Sequence, residues 1–199
     1  MHPRDAKERL RRSIKERLAR LGDVERKAES RTLCKIALAA LPPAPLAVCG
    51  YFPLKDEADI RPLLLTLLDR GDALYLPKYI GKGFDFFRVR DLENLPAGEF
   101  GIPEPPEGAE KLDPSTLDVA LVPARAFDRE GRRMGRGNGG YDKWIRAQRK
   151  AKPDVRIWGI ALECQLVNDI PMEAHDETVD AVVTARGVLV AGKKGGAVA

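Results

Sequence analysis

A chain of 199 residues, of which 44% are hydrophobic, can bury one sizeable core, so we expect a single domain over residues 1–191 and a tail at 192–199. The charged opening argues against an export signal, and the prolines in the most hydrophobic stretch argue against a membrane span. The three scattered cysteines indicate neither a disulfide framework nor a zinc site. Together these features predict a cytoplasmic protein. The first 35 residues carry 12 Lys and Arg against 6 Asp and Glu, and the remainder 22 against 24, which favours a small anionic ligand over a nucleic acid.

The first predicted element is a basic amphipathic helix over residues 7–21, because apolar residues recur at helical spacing at Leu10, Ile14, Leu18 and Leu21. Lys7 and Arg11 border its apolar stripe and are placed to reach over a core edge into a cleft. Three arginines lie on the opposite face and are expected to meet water: Arg9, Arg12 and Arg20. The alternative is that all of these basic side chains, Lys7 and Arg11 included, are solvated.

The middle of the chain alternates between strand and helix patterns. Asp23 is expected to cap a second helix that runs to about residue 41, and further helices are predicted in DIRPLLLTLLDRG and over residues 140–150. Strands are predicted in LAVCGYF, ALYLPKYI, FDFFRVR, LDVALVP, RIWGIALE and DAVVTARGVLV. This order predicts an α/β sandwich with a mostly parallel central sheet flanked by helices, whose ligands bind beyond the carboxyl ends of the strands.

The stretch RMGRGNGGYD, residues 133–142, predicts a site for a phosphate-bearing ligand. Glycines let backbone amides converge at a helix start, where they form a cradle for anions. Arg133 and Arg136 can neutralise phosphate oxygens, and Asp142, expected at an exposed helix start, can bind a magnesium ion that bridges them. The alternative is a flexible turn in which Asp142 only favours the helix dipole. The G-x-G-x-x-G match does not indicate a dinucleotide site, because the loop does not follow a strand directly, and the chain has no Walker sequence.

Carboxylates elsewhere suggest further ligand contacts. Asp56 and Glu57 follow a predicted strand, where a buried carboxylate can hold a ring nitrogen or amino group; the alternative is a charge at the start of the next helix, which Asp59 can cap. In PMEAHDETVDAVV, Asp176 is either an oxygen ligand for a hard cation or an ordinary loop residue. With two histidines in the chain and no H-x-x-x-H spacing, a transition-metal centre is not expected.

Several segments together resemble the 5-formyltetrahydrofolate cyclo-ligase (methenyltetrahydrofolate synthetase) family. They occur in the family's order: AKERLRRSIKERL, YFPLKDE, FDFFRV, FGIPEP, DVALVPARAFDREGRRMGRGNGGYD and GIALECQLVNDIPMEAHDETVDAVVT. The resemblance implies a fold similar to that of certain sugar-phosphate isomerases and coenzyme A transferases. It also implies an enzyme, here expected to be a monomer, that uses MgATP to convert 5-formyltetrahydrofolate into 5,10-methenyltetrahydrofolate.

The resemblance assigns roles to individual residues. Lys7 and Arg11 match a basic pair that contacts ATP phosphates, Phe52 and Glu57 match folate-contacting positions, and Asp142 and Asp176 match the Mg²⁺ ligands. The ATP-binding loop corresponds to Arg133, Met134, Gly135, Arg136, Gly137, Asn138, Gly139, Gly140 and Tyr141. Part of that loop is also implied to touch the folate: Arg136, Gly137, Asn138, Gly139 and Gly140. The residues implied to stabilise the transferred phosphoryl group are Lys7, Arg133 and Arg136.

Two departures from the family pattern keep other functions open. Family loops carry an aromatic pair before the aspartate, whereas here Gly140 precedes Tyr141, so Phe100 or Phe52 is expected to supply the missing wall of the folate pocket. Asn138 stands where Gly or Lys is common. One alternative is a paralogue that keeps the nucleotide site but acts on another substrate or has lost turnover. The other is a nucleotide- or RNA-binding module that uses the basic N-terminal helix.

Overall fold

The computed structural model describes residues 3–81, 83–98 and 101–192. In chain order its helices and strands are α1 (Pro3–Arg20), α2 (Asp23–Ala40), β1 (Ala47–Cys49), α3 (Arg61–Asp69), β2 (Ala73–Ile80), β3 (Gly83–Arg88), β4 (Val119–Pro123), β5 (Ala126–Phe127), β6 (Arg133–Met134), α4 (Gly140–Ala151), β7 (Arg156–Ile160), β8 (Ala181–Thr184) and β9 (Gly187–Val190). The predicted alternation of strands and helices is present.

Seven strands form one sheet in the order β3-β2-β1-β4-β7-β8-β9. The five inner strands are parallel to one another, and the edge strands β3 and β9 pair antiparallel with β2 and β8. The mostly parallel sheet predicted from the sequence is therefore confirmed. The chain leaves β1 towards one edge and later leaves β4 towards the other, so β1 and β4 flank a crevice beyond their carboxyl ends, where ligands of such sheets bind.

Helices cover both faces of the sheet, which explains why β4 is an uninterrupted apolar run. Val119 and Leu121 of β4 pack into the core that includes side chains of α1, α2 and α3. The alternate residues Ala120 and Val122 pack into a second core on the other face, which includes Ile145 of α4. A strand buried on both faces carries apolar residues at every position.

The structure corrects three local predictions. Helix α1 begins at Pro3, earlier than the predicted residue 7, and Asp23 is the first residue of α2 rather than its cap, which is Gly22. Residues 124–134, interpreted as a connection, contain the antiparallel hairpin of β5 and β6. In the part of the chain that the structure describes, no helix has the length and apolar character needed to cross a membrane. The expected tail falls almost wholly outside the described residues.

Candidate active site

A cavity of about 450 Å³ opens at the carboxyl ends of β1 and β4. Pockets for small organic ligands fall in this size range. Its lining includes Lys7, Arg11, Phe52, Glu57, Arg133, Met134, Gly135, Arg136, Gly137, Asn138, Gly139, Gly140, Tyr141, Asp142 and Asp176. The predicted site residues thus come from distant parts of the sequence to one cavity, with the exception of Phe100, which lies outside the described residues.

Lys7 of α1 is buried and forms ion pairs across the cavity. Its Nζ donates to Asp176 at 2.5 Å and to Glu173 at 2.9 Å. Burial lowers the pKa of Lys7, but hydrogen bonds and charge from the two carboxylates outweigh it and raise the pKa. Burial also acts to raise the pKa of Asp176, but the hydrogen bonds from Lys7 and from the backbone of Glu173, together with the charge of Lys7, outweigh it and lower the pKa. The solvated alternative is therefore wrong for Lys7, whereas Arg9, Arg12 and Arg20 are exposed as expected.

The glycine loop is held in place by α1 and by its own turns. Arg11 donates from Nε to the carbonyl oxygen of Gly135 at 3.2 Å. Gly137 and Gly139 have positive φ values of 112° and 66°, in a region that side chains rarely adopt. Gly139 is the N-cap residue of α4, and the amide of Gly140, the first residue of this helix, donates to the side-chain oxygen of Asn138 at 3.2 Å. The loop thus borders the cavity at a helix start, and binding of an anion there stays a prediction.

Asp142 lies at a buried helix start, not an exposed one. Its Oδ1 accepts from the guanidinium of Arg133 at 2.7 Å and from the backbone N–H of Glu177 at 3.2 Å. Arg133 is itself only 3% exposed, because β6 carries it into the core beneath the loop. The prediction of an exposed Asp142 was wrong because no sequence pattern indicated the β5–β6 hairpin that brings Arg133 next to it.

Arg136 binds both carboxylates that follow β1. It donates to Asp56 at 2.5 Å and to Glu57 at 2.9 Å, and Arg125 also donates to Asp56. Burial raises the pKa of Asp56, but the two arginines outweigh it and lower the pKa. Glu57 is 7% exposed, and its second oxygen accepts from the backbone N–H of Leu54.

The alternative role of the segment after β1, a charge at the start of the next helix, belongs to Asp59 instead. Its carboxylate accepts from the backbone N–H of Arg61, the first residue of α3. Asp56 and Glu57 consequently bind Arg136, and Glu57 also lines the cavity.

The oxygen donors needed for a hard cation are present near Asp176. Ligand atoms of Glu173, His175 and Asp176 lie within 4.8 Å of one another. The backbone bond from Glu177 to Asp142 brings the second predicted ligand beside this segment. Among the described residues, the hydrogen bonds of Asp142 engage only Oδ1 and those of Asp176 only Oδ2. The second oxygen of Asp176, Oδ1, lies 3.9 Å from Nε2 of His175. Carboxylate oxygens are the donors that Mg²⁺ prefers.

The sequence analysis missed several residues of the cavity and its edge, among them Tyr79, Phe84, Arg125 and Glu173. Phe84 and Phe86 share one face of β3, and the alternation in FDFFRVR was a signal that one of them could face a ligand. Glu173 stands in the acidic segment already singled out for Asp176. For Arg125, no sequence signal distinguished it from other charged residues near the loop.

Comparisons with known proteins show which family this chain and its fold resemble. The sequence model of the 5-formyltetrahydrofolate cyclo-ligase family matches residues 3–185. The 5-formyltetrahydrofolate cyclo-ligase of Mycolicibacterium smegmatis is 32% identical, over 96% of this chain and 99% of its own. A solved 5,10-methenyltetrahydrofolate synthetase from Aquifex aeolicus has a TM-score of 0.81 at 32% identity, covering 96% of this chain and 95% of that one. A synthetase from Mycoplasma pneumoniae, at 20% identity and a TM-score of 0.71 over 90% of this chain and 98% of its own, shares the fold.

Proposed function

Because the chain belongs to the 5-formyltetrahydrofolate cyclo-ligase family, a family of ligases acting on small molecules, we propose that it converts 5-formyltetrahydrofolate into 5,10-methenyltetrahydrofolate. In this proposal MgATP is the co-substrate, and ADP and phosphate are the other products. One structural observation supports the proposal above the others. Buried or half-buried cations from α1, β6 and the glycine loop converge on one cavity with unengaged carboxylate oxygens.

The proposed reaction requires an activated formyl oxygen. A formamide oxygen is a poor leaving group, so the γ-phosphoryl group of ATP is transferred to it and ADP is released. The neighbouring nitrogen of the folate then attacks the formyl carbon, the carbon–oxygen bond breaks, and phosphate leaves with that oxygen. The protein forms no covalent bond in this sequence. Its tasks are to align the formyl oxygen with the γ-phosphate and to stabilise the charge that spreads over the phosphoryl oxygens.

The proposed phosphate-binding groups are Lys7, Arg11, the loop amides and Arg136. Arg11 already fixes the loop through Gly135, so the amides at the start of α4 are ordered before a ligand arrives. Lys7 is held at the opposite wall by Asp176 and Glu173. Ordered donors cost little reorganisation when negative charge develops, which is the main source of stabilisation in such sites.

Three of the four proposed ligand-binding cations pair with carboxylates of the protein, whereas Arg11 donates to the carbonyl oxygen of Gly135. Lys7 pairs with Asp176, Arg133 with Asp142, and Arg136 with Asp56 and Glu57. A magnesium ion held by Asp142 and Asp176 would supply positive charge beside the phosphates. Lys7, released from Asp176, could then donate to a phosphate oxygen, and Arg136, released from Glu57, would leave that carboxylate for the folate. Binding is thus an exchange of partners that leaves few buried charges unpaired.

Purified protein incubated with 5-formyltetrahydrofolate, ATP and Mg²⁺ tests the proposal by the absorbance of methenyltetrahydrofolate, with ADP measured in parallel. We expect equal amounts of both products and none when ATP or Mg²⁺ is omitted.

Arg136→Met is expected to lower kcat/KM roughly a hundredfold, as for loss of one donor to a developing charge. Arg129→Met removes an exposed arginine of the same charge and should match wild type. A folded protein that binds ATP but forms no methenyl product would instead favour the paralogue with another substrate.

A further inference from the structure

Gly140, the first residue of α4, leaves room for an aromatic ring that comes from a strand. A Cβ atom at this position would lie 3.0 Å from Cε1 and 3.5 Å from Cδ1 of Phe84. Carbon atoms in favourable contact are ~3.5–4.0 Å apart, so the ring already occupies the space of a side chain at position 140. Gly140 opens α4 and Phe84 lies on β3, so the two elements share one volume at the edge of the cavity.

Other aromatic side chains hold the ring of Phe84 in place. Its centroid lies 4.8 Å from that of Tyr141, 5.7 Å from Phe86 and 6.0 Å from Tyr79. These spacings are typical of favourable tilted and edge-to-face contacts. Phe84 nevertheless lines the cavity and remains partly exposed. A ring that is fixed by its neighbours and open to a cavity presents a ready surface for a flat ligand, because little side-chain entropy is lost on binding.

The position of Phe84 in the sheet separates it from Asp176 and from Lys7, which is bonded to Asp176. The sheet order places β3 and β2 on one side of β1, and β4, β7 and β8 on the other. Arg133 and Asp142 follow β4, and Asp176 precedes β8. Tyr79 and Phe84 come from β2 and β3, next to the segment after β1 that carries Phe52 and Glu57. The cavity therefore has an aromatic side and a charged side.

We propose that Phe84 is a substrate-positioning residue, whose ring, seated in the space left by Gly140, stacks against the flat pyrimidine half of the reduced pterin of the folate. The inference rests on the proposed function, since it takes the charged side of the cavity for the triphosphate. Phe84 then supplies the aromatic wall that an aromatic residue at position 140 would form. It orients the formyl group towards the γ-phosphate without taking part in the transfer.

The inference is tested by measuring ligand affinity by calorimetric titration in three variants: Phe84→Ala, Phe84→Leu and Phe87→Ala. The melting temperature of each variant checks that it is folded. Phe84→Ala is expected to weaken 5-formyltetrahydrofolate binding about tenfold, the size of a lost stacking contact with its buried area. Its affinity for a non-hydrolysable ATP analogue with Mg²⁺ should change less than twofold. Phe84→Leu, which keeps an apolar contact but no flat face, should lie between. Phe87, which is on the other face of β3 and outside the cavity lining, is the matched control.

A second variant moves the ring between the two elements. Phe84→Ala combined with Gly140→Phe places an aromatic side chain in the same volume from α4, and we expect it to recover much of the folate affinity. In turnover assays Phe84→Ala should raise KM for the folate and leave kcat within a few-fold of wild type. Equal losses of folate and nucleotide affinity, or unchanged folate affinity in folded Phe84→Ala, would overturn the inference. Wild-type protein without cyclo-ligase turnover would instead count against the proposed function.

Discussion

At the scale of single residues, the buried pair of Arg133 and Asp142 links stability to the site. Asp142→Asn keeps a hydrogen-bond acceptor but removes the negative charge that neutralises the guanidinium of Arg133, a residue that is only 3% exposed. We expect a loss of about 2 kcal/mol in the free energy of unfolding, as for an uncompensated buried charge that keeps one hydrogen bond. We also expect most turnover to be lost, because the amide is a poor magnesium ligand.

Urea denaturation with an activity assay checks this expectation, and Asp169→Asn is the control. Asp169 also pairs with an arginine, Arg132, but its side chain is 69% exposed, so its loss should cost less than about 0.5 kcal/mol. If Asp142→Asn is as stable as wild type, the Arg133–Asp142 pair does not stabilise the fold. If it turns over at the wild-type rate, the metal assignment fails.

The sequence predicted which residue types form the site but not how they pair. Lys7 and Asp176 are 169 positions apart, and Arg136 and Asp56 are 80 apart. Spacing within a segment carries no information on such contacts, because they depend on how strands are ordered in the sheet. The resemblance to a family indicated which residues belong to one site. It did not predict the contact between Phe84 and Gly140.

At the scale of elements, Gly159 lets the β5–β6 hairpin pack against the main sheet. Gly159 lies on β7, and a Cβ atom there would come within 2.3 Å of Cε1 of Phe127, a fully buried residue of β5. Since the ring has no exposed space to enter, Gly159→Ala should lower the free energy of unfolding by about 1–3 kcal/mol, the usual cost of overpacking.

Gly83→Ala is the control for this prediction, because Gly83 also lies on a strand but no atom is within 4 Å of its hypothetical Cβ. The two variants can be compared by thermal denaturation. A Gly159→Ala protein as stable as Gly83→Ala would mean that Phe127 moves aside at no cost.

The hairpin itself shows the limit of sequence patterns for elements. Each of its strands has two residues, too few for an alternation to stand out, and it was interpreted as part of a loop. By contrast, the five apolar residues of β4 predicted a buried strand without ambiguity. Longer elements with a clear burial pattern could be predicted; short elements stabilised by tertiary contacts could not.

At the scale of the whole molecule, α1 is tied to the opposite end of the chain through the site. Lys7 bonds to Glu173 and Asp176, so ligands that replace these bonds also act on the contact between α1 and the rest of the fold. A ligand that binds only the folded state raises the melting temperature. We expect an ATP analogue with Mg²⁺ to stabilise wild type, and Lys7→Met to lose most of that shift.

Lys15→Met is the matched control, because Lys15 lies on the same helix but is exposed. It should keep the full ligand-induced shift. A full shift in Lys7→Met would show that Lys7 does not contact the nucleotide.

The carboxylates of the cavity also make the stability of the molecule depend on pH. The folded state lowers the pKa of Asp56 through Arg136 and Arg125, despite an opposing effect of burial. A group with a lowered pKa contributes stability above its unfolded pKa of about 4, and that contribution disappears as the pH falls through the folded pKa. Asp56→Asn should therefore be less stable than wild type at pH 6, and the difference in the free energy of unfolding should be smaller at pH 3. Urea denaturation at both pH values measures this difference. If wild type and Asp56→Asn differ as much in the free energy of unfolding at pH 3 as at pH 6, Asp56 contributes through hydrogen-bond geometry rather than charge.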